Sequence, residues 1–406
     1  MQQALSLAYE AGNILLENGA EISRVEDSMN SIADGLGAKD HSFFILSNGI
    51  IATGDGYAKA KFIPIKGTQL AHIVAVNQLS RDAADGLLDL ESARRRIDQI
   101  RSMPGKPWWE FLLGIALGVS AFCILFGGSL IDSAVTFAVG LVVGAFMHFA
   151  SPHLSRIFGN LFGGMLGGFL CIVAARLGLG QHLPNMIIGT IIALVPGVPF
   201  TNGFRDIANE DYIAGATRLL DAFMLFLCIA GGVCLAFATD GIMHGGILQL
   251  DAPQVDPLTS HYAIQLAAAF VGTVGFSILF GAPRSCYLDC GLAGMAGWLV
   301  YLLMLRQAGL TPAVAAFAGA FCVDLTSHLT ARLRKCPSSV YLICGIIPLV
   351  PGGGIFWTAY YLTTDQLHSA SATGITAIKI TIAIAIAIIT SKSLINKLKR
   401  HRPKAA

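Results

Sequence analysis

Charged side chains are scarce in most of this sequence. Only 13% of its 406 residues are charged, whereas 54% are hydrophobic; a typical soluble domain has about 25% charged residues. The scarcity is uneven, because residues 1–106 hold 11 of the 27 Lys and Arg and 13 of the 25 Asp and Glu, while residues 107–390 hold only ten basic and twelve acidic residues. We therefore expect a water-soluble N-terminal domain (residues 1–106, called the head below) followed by an α-helical polytopic membrane domain.

Several functional signatures are also missing. Residues 1–21 have neither a basic stretch nor a continuous apolar run, so no signal peptide is predicted and the head is expected to stay in the cytoplasm. The head has no G-x-S-x-G, P-loop or dinucleotide fingerprint, which argues against an enzyme and against an ATP-driven pump. The net charge of +2, without a basic patch rich in aromatics, argues against nucleic acid as a partner. Among nine cysteines only Cys286 and Cys290 are close in sequence, so we predict no metal site and no cofactor.

The head shows mixed helix and strand patterns. Helical periodicity predicts helices at 3–17, 21–36, 68–80 and 88–102. Residues 42–54 predict two strands around an Asn-Gly turn signal, followed by a third segment at 61–65. The pattern indicates a small α+β domain. The start of its second helix holds a charged cluster, Glu21, Arg24, Glu26 and Asp27. Acidic residues at a helix N-terminus favour a solvated face, which is our expectation for this cluster.

Ten apolar segments follow the head. They lie near residues 110–129, 131–150, 159–177, 184–200, 216–238, 262–281, 288–305, 311–331, 340–362 and 373–391. At about 1.5 Å per residue, each is long enough to cross a hydrocarbon layer about 30 Å thick. With the head in the cytoplasm, the inner loops and the basic tail (396–406) hold most of the remaining Lys and Arg, and the outer loops hold only Arg176 and Arg306. This distribution predicts a multi-pass membrane protein with both termini in the cytoplasm.

Two pairs of similar stretches indicate that the membrane domain is duplicated. GVSAFCILFGGS (118–129) is matched by GTVGFSILFGAP (272–283), and IIALVPGVPF (191–200) is matched by GIIPLVPGGG (345–354). The first pair lies in spans one and six, and the second pair lies in spans four and nine. The domain therefore divides into two five-span halves, 107–240 and 260–395. Because five is odd, the second half is expected to enter the membrane from the opposite side, as in the inverted repeats of transporters.

Proline and glycine interrupt the fourth and the ninth span in the same way. The residues concerned are Pro196, Gly197, Pro351, Gly352, Gly353 and Gly354. Proline removes a backbone donor, and glycine lets the chain leave the helix. Backbone groups freed inside a membrane are tolerated where they line a cavity or meet a ligand. Paired interruptions thus predict a substrate site at the interface between the halves. The alternative is a pair of kinks that only shape the helices.

Polar side chains suited to a substrate or to a proton accompany these breaks. After the first break, Asn202 can both donate and accept, and Arg205 is a fixed cation suited to a carboxylate. The candidates for proton coupling are Asp206, Asp221, Asp324, His328 and Lys379. Asp324 and His328 are four residues apart and therefore share a helix face, and ionisable groups within membrane spans usually face a cavity. The alternative for the residues after the first break is an ordinary inner loop with an Arg-Asp pair. The alternative for Lys379 is a side chain that extends to the membrane–water interface.

The stretches GAEISRVEDSM (19–29) and LVPGVPFTNGFRDIANEDYIAG (194–215) resemble signature sequences of the threonine/serine exporter family. The resemblance covers nearly the whole chain. In some members of the family the two halves are separate proteins, and this chain resembles the form in which they are fused. It implies a cytoplasmic N-terminal domain joined to ten spans, a location in the bacterial inner membrane, and export of small amino acids. The split members are similar to exporters of dicarboxylates such as succinate. The second-half motif LVPGGGIFW lacks the Asn and the Arg-Asp pair of the first, and no catalytic residue is implied.

These observations together predict a secondary active exporter of small amino acids that works by alternating access. Since no ATP-binding motif is present, a proton gradient is the expected driving force, with protons exchanged for substrate. A dicarboxylate exporter, a membrane-anchored enzyme acting through the head, and a passive channel are the alternatives. The expected partners are the small-molecule substrate, the lipid bilayer and protons, and the formation of a homo-oligomer stays open.

Overall fold

The computed structural model describes residues 1–54, 56–64, 67–246, 250 and 255–400, apart from the side chains of 396 and 398–400. The head has helices α1 (Gln2–Glu17), α2 (Ile22–Gly35), α3 (Leu70–Ala84) and α4 (Leu90–Arg101), and strands β1 (Ser42–Leu46), β2 (Gly49–Gly54) and β3 (Tyr57–Phe62). The strands form one antiparallel sheet in the order β1-β2-β3. The predicted α+β class is confirmed, although the third strand begins earlier than the sequence indicated. Most of the basic tail lies outside the described residues.

The core of the head forms between α1 and α2. Leu5, Tyr9 and Leu15 of α1 are fully buried, and so is Met29 of α2. Gly12 lets the two helices approach closely, because a Cβ at this position would overlap the Met29 sulfur. Burial of one such large apolar side chain contributes about 1.5–3 kcal/mol, so the head has its own stable core.

The membrane domain of the described chain contains twelve α-helices. Those of the first half are α5 (Trp108–Leu125), α6 (Leu130–Ala145), α7 (Arg156–Arg176), α8 (Leu183–Ile191), α9 (Gly197–Ala208) and α10 (Tyr212–His244). Those of the second half are α11 (Tyr262–Leu279), α12 (Tyr287–Leu302), α13 (Pro312–Arg334), α14 (Ser338–Gly345), α15 (Gly352–Thr363) and α16 (Leu367–Arg400). Eight helices are long and apolar enough to cross a membrane singly. The pairs α8–α9 and α14–α15 are bent by 62° and 45°, and counting each pair as one span gives the predicted number of ten.

The two halves repeat the same order of elements. α6 and α12 each end in a π-helical turn, and α8 and α14 each continue into a 3-10 turn, Ile192–Leu194 in the first half and Ile347–Leu349 in the second. α9 and α15 have 12 residues each, and α10 and α16 have 33 and 34. The order and the lengths of these elements thus agree with the duplication predicted from the sequence.

The first helices of the two halves, α5 and α11, pack against each other through matched positions. Phe122 of α5 and Phe276 of α11 make an edge-to-face contact with ring centroids 5.1 Å apart. A Cβ on Gly118 would lie 3.1 Å from Phe276, and a Cβ on Gly272 would lie 2.9 Å from Phe122. Each glycine thus makes room for the aromatic ring of the other half, which allows close packing between the two halves.

The head contacts one end of the helix bundle, here called the head end. α5 follows directly from the head, whereas its counterpart α11 has its C-terminal end there. The backbone N–H groups of Leu70 and Ala71 in α3 donate to the carbonyls of Phe280 and Gly281, each at 2.9 Å. The loop after α13 also reaches the head, because Arg81 donates to the carbonyl of Lys335.

The opposite end, here called the far end, has buried charges of its own. Arg176 at the end of α7 makes two hydrogen bonds of 2.6 Å to Asp240 near the end of α10. Asp132 at the start of α6 is fully buried. Its carboxylate accepts hydrogen bonds from the backbone of Ser129 and Gln181 at 2.8 and 2.6 Å and lies 2.7 Å from Nδ1 of His182. This carboxylate connects the start of α6 to the loop that leads into α8.

Candidate functional site

The two helix breaks have the same backbone geometry. Pro196 has φ −76° and ψ 62°, and the N–H of Gly197 donates to the carbonyl of Val195 at 2.8 Å. Pro351 has φ −76° and ψ 54°, and the N–H of Gly352 donates to the carbonyl of Val350 at 2.7 Å. A hydrogen bond across one residue at these angles defines an inverse γ-turn. Each break is therefore a defined turn, centred on proline, that redirects the chain and lets a new helix begin at the glycine.

The two breaks meet each other across the interface between the halves. A Cβ on Gly197 would lie 2.5 Å from Cδ1 of Ile347, and a Cβ on Gly352 would lie 2.9 Å from Cδ1 of Ile192. Each isoleucine belongs to the short 3-10 turn of the opposite half. The predicted pairing of the breaks thus corresponds to a reciprocal contact. The space next to Gly197 and Gly352 is filled by side chains, so their Cα atoms do not face a cavity.

A cavity of about 290 Å³ lies beside the second break. Pro351, Gly353 and Gly354 form one wall of it, and Gln265 and Trp298 are on the opposite wall. Gln265 is fixed in place, because its Nε2 donates to the carbonyls of Ile124 and Thr259 and its Oε1 accepts from the Trp298 indole at 3.0 Å. The volume is near the lower limit for ligand pockets, which suits a small metabolite. A larger apolar cavity of about 500 Å³ lies among α9, α10, α15 and α16 and also includes Pro351.

The predicted polar residues after the first break bind the head. Asn202 donates from Nδ2 to the carbonyl of Gly19 at 2.5 Å, and Asp206 accepts from the N–H of Ile22 at 3.0 Å. Nε of Arg205 lies 3.1 Å from the Glu21 carboxylate. The side chains of all three membrane-domain residues are at most 5% exposed. The structure thus brings these predicted residues together, at the point where the head covers the end of α9.

Arg218 of α10 completes this junction and was not anticipated from the sequence. Its Nη2 donates to the carbonyl of Ala20 at 2.7 Å, and its Nη1 lies 2.9 Å from Asp206. Gly19 makes this contact possible, because its φ of +76° ends α1 in a left-handed turn and directs two successive carbonyls towards the membrane domain. We call the set Glu21, Asn202, Arg205, Asp206 and Arg218 the head junction.

The expectation of a solvated face at Glu21 is wrong. Glu21 is only 4% exposed, and its carboxylate pairs with Arg24 at 2.8 Å as well as with Arg205. Burial by itself would raise the pKa of this carboxyl, but Arg205 and Arg24 outweigh burial and lower the pKa to about 2. Glu21 is therefore an ionised, paired carboxylate at any physiological pH. A signal existed in the sequence, since the Gly19–Met29 stretch and the Asn202–Asp206 stretch both belong to the family resemblance.

Several buried atoms of the head junction have no hydrogen-bond partner among the described residues. They are Glu21 Oε2, Asn202 Oδ1, Asp206 Oδ2, Arg205 Nη1, and Nε and Nη1 of Arg218. The charged groups are within ionic contact of one another but are poorly aligned for hydrogen bonds. A buried polar group without any partner costs about 1–3 kcal/mol, and this cost does not apply in full to the atoms that are in ionic contact. The junction therefore has unused hydrogen-bonding capacity at a buried location.

A second polar group lies nearby, where α13 meets the end of α16. Asp324 is 1% exposed, accepts a hydrogen bond from the Ser391 hydroxyl, and lies 3.8 Å from Nε2 of His328. The next residue of α16, Lys392, is partly buried and interacts electrostatically with both Asp324 and Glu21. The carboxylates of Asp324 and Glu21 thus both lie within electrostatic range of Lys392.

The other two candidates for proton coupling lie elsewhere. Asp221 is paired with Arg156 at 3.0 Å, and the two side chains are 37% and 50% exposed. Lys379 is exposed on α16. Asp221 is thus paired with Arg156 rather than with Lys379. Among the described residues, no group of three or more His, Cys, Asp or Glu side chains is arranged to hold a metal ion.

Comparison with known proteins supplies the family. A model of the threonine/serine exporter family, ThrE, matches residues 6–239, and a second model, described as "Threonine/Serine exporter, ThrE", matches residues 265–394. The chain is 23% identical to the threonine/serine exporter of Corynebacterium glutamicum, over 98% of this chain and 83% of that protein. It is 22% identical to a protein named "Probable threonine/serine exporter" in Mycobacterium tuberculosis, over 92% of this chain and 74% of the relative.

A yeast relative shares the same region within a longer protein. The chain is 22% identical to pheromone-regulated membrane protein 10 of Kluyveromyces lactis, over 96% of this chain but only 43% of that protein. No solved structure matches the chain. The family models together span the head and both halves of the membrane domain, which agrees with the resemblance seen in the sequence and favours a transporter over a membrane-anchored enzyme. The chain therefore belongs to the threonine/serine exporter family.

Proposed function

We propose that this protein exports small amino acids of the threonine/serine type across the bacterial inner membrane, in exchange for protons and by alternating access. The head and both termini are then cytoplasmic. The observation that supports this most strongly is the reciprocal contact of the two broken helices, next to a cavity at the interface between the halves. Broken helices paired across such an interface are the usual location of substrate sites in secondary transporters.

The opposite directions of α5 and α11, the first helices of the two halves, support an inverted repeat and with it alternating access. α5 leads away from the head, whereas α11 ends against it, as the hydrogen bonds from α3 to Phe280 and Gly281 indicate. An inverted repeat explains this arrangement, since its halves have similar shapes and opposite directions. Rocking of one half against the other would expose the breaks alternately to the two sides. The cavity at Gly353 is close to Gln265 and Arg306, near the far end, while the first break is covered by the head.

The substrate would bind between the breaks. Pro351, Gly353 and Gly354 line the cavity directly, and Pro196, Gly197 and Gly352 shape it through the γ-turns and the close contact between halves. Arg205 and Asn202 are the candidates for the substrate carboxylate on the cytoplasmic side. The buried position of Asp206, between Arg218 and the head, suits a binding role better than a proton-transfer role.

Proton coupling is best assigned to Asp324 and His328. Asp324 is a buried carboxylate inside a span, next to a histidine, and it lies within electrostatic range of Lys392, which also has an electrostatic connection to Glu21 of the head junction. Ionisable groups at such positions are costly and are characteristic of proton pathways. Asp221 and Lys379 are exposed or half-exposed and lack this connection, so we assign them no part in the relay.

Efflux from proteoliposomes tests the proposal. Vesicles containing the purified full-length protein would be loaded with labelled threonine, serine or succinate, and efflux measured with and without an imposed pH gradient. We expect threonine and serine to leave faster when protons can flow in the opposite direction. Preferential efflux of succinate would instead identify a dicarboxylate exporter, and efflux of no substrate above protein-free vesicles would contradict an export function.

A further inference from the structure

The turn between α1 and α2 presents to the head junction the two kinds of group that an amino acid carries. It offers a carboxylate, that of Glu21, which lies 3.1 Å from Arg205. It also offers a nitrogen donor, the N–H of Ile22, which lies 3.0 Å from Asp206. We propose that Arg205 and Asp206 form a cytoplasmic binding site for the zwitterion of a small α-amino acid, and that Glu21 and Ile22 of the head occupy this site as an intramolecular substitute for the substrate.

The hydrogen bonds of the junction leave room for a competing ligand. Asn202 Oδ1 and Arg205 Nη1 are buried, in side chains that are 1% and 4% exposed, and neither atom has a hydrogen-bond partner among the described residues. A substrate carboxylate could accept from Arg205 through two N–H groups, a geometry that guanidinium favours. A substrate ammonium could donate to Asp206 and to Asn202 Oδ1 at once. The free amino acid thus makes hydrogen bonds that the head leaves unmade.

The charges of the junction favour an amino acid over a dicarboxylate. Asp206 is the immediate neighbour of Arg205, is fully buried, and lies 2.9 Å from the Arg218 guanidinium. A second carboxylate on the ligand would be placed beside the Asp206 carboxylate, and like charges close together in a buried site repel strongly. An ammonium group is instead attracted by the Asp206 carboxylate, which it would share with the Arg218 guanidinium. The site therefore deepens the proposed function, on which it rests, by assigning the substrate's ammonium group to Asp206 and a competing role to the head.

Occupation by the head also closes the cytoplasmic route to the first break. Gly19, Ala20 and Ile22 all make hydrogen bonds to side chains of α9 or α10. Glu21 stays ionised, because Arg205 and Arg24 outweigh its burial and keep its pKa at about 2. Release of the head therefore depends on competition by the ligand rather than on protonation of Glu21. Rising cytoplasmic amino acid would then open the route that it uses.

Binding of labelled L-threonine and succinate to the purified full-length protein in detergent tests this proposal. Glu21→Gln keeps the shape of the side chain but removes the competing carboxylate. Because Glu21 is covalently linked to the site that it occupies, it competes with threonine at an effective concentration in the millimolar range. Weakening this competition should tighten threonine binding about tenfold. Glu26→Gln is the matched control, since Glu26 is exposed on the same helix, and it should bind threonine as the wild type does.

Asp206→Asn provides the second arm of the experiment. The ratio of threonine affinity to succinate affinity should fall at least about tenfold, because an amide attracts an ammonium group less and tolerates a second carboxylate better. A ratio is compared within one protein, so partial unfolding of the variant does not affect it. Unchanged threonine binding in folded Glu21→Gln, or an unchanged ratio in Asp206→Asn, would overturn the proposal. These binding assays use no membrane gradient and therefore test the site independently of the export mechanism. Absence of proton-driven efflux from proteoliposomes would contradict the export mechanism but not the binding site.

Discussion

The reciprocal contact between the two helix breaks can be tested by adding a single methyl group. In Gly197→Ala the new Cβ would lie 2.5 Å from Cδ1 of Ile347, and in Gly352→Ala it would lie 2.9 Å from Cδ1 of Ile192. Unstrained carbon–carbon contacts are about 3.5–4.0 Å. Each Cδ1 is the end of a flexible side chain, but Ile192 and Ile347 are at most 1% exposed and have little room to turn away. We therefore expect a cost of about 1 kcal/mol, at the lower end of the range of about 1–3 kcal/mol for overpacking of a close-packed interior. We expect both variants to unfold more readily than the wild type, and Gly197→Ala to be the more strongly affected because its overlap is larger.

A compensating deletion distinguishes this contact from a general effect of alanine. Ile347→Val removes the overlapping methyl group and by itself costs about 0.5–1.5 kcal/mol. The double variant Gly197→Ala/Ile347→Val should be more stable, by about 1 kcal/mol, than the sum of the two single effects predicts. The assay is reversible unfolding of the purified protein in detergent, followed by efflux at equal amounts of folded protein.

Gly353→Ala is the matched control for stability. A Cβ at this position would lie 3.8 Å from Ile188, which is an ordinary contact, so the free energy of unfolding should hardly change. Because Gly353 lines the cavity, the export rate of the Gly353→Ala variant should nevertheless fall. Strict additivity of Gly197→Ala and Ile347→Val, or a Gly197→Ala variant as stable as the wild type, would refute the reciprocal packing.

Three further predictions concern charges and topology. Asp324→Asn should abolish the dependence of efflux on the pH gradient, whereas Asp221→Asn should leave it intact because a half-exposed ion pair contributes little; the opposite pattern in proteoliposome efflux would contradict the relay. Asp132→Asn should lower the free energy of unfolding by about 2–3 kcal/mol, since charge-assisted hydrogen bonds are worth about 1.5–3 kcal/mol each; a variant with wild-type thermal stability would rule this out. The cysteine of Thr364→Cys should react with an impermeant reagent from outside the cell, whereas the cysteine of Lys335→Cys should not. Labelling of Lys335→Cys from outside would exclude the inverted topology.

The helix breaks were accessible to prediction because their signal is local. Pro-Gly inside an apolar run conflicts with a continuous helix, and its repetition after 155 positions, from Pro196 to Pro351, indicated a duplication. The filling of the space at Gly197 by Ile347 was not accessible, because it depends on packing between halves. A local pattern can predict that a helix ends but not which side chain from a distant segment lies beside the end.

The head junction shows a similar limit. Acidic residues near a helix N-terminus are usually solvated, so Glu21 looked like a surface residue. Its partner Arg205 lies in the other domain, and only the docking of the head brings the two charges together. The sequence did identify Asn202, Arg205 and Asp206 as unusual polar residues next to a break. Their contact with the head, and the participation of Arg218, required the three-dimensional arrangement.

The most direct test of coupled exchange is the pH difference at which net threonine flux becomes zero. Proteoliposomes with the membrane potential held at zero would be given a tenfold threonine gradient, and the opposing pH difference would be varied. If one proton is exchanged per threonine, flux should reverse at a difference of about one pH unit, because a tenfold ratio and one pH unit each correspond to about 1.4 kcal/mol. A flux that vanishes only at equal threonine concentrations, whatever the pH difference, would contradict proton-coupled export and indicate a passive channel.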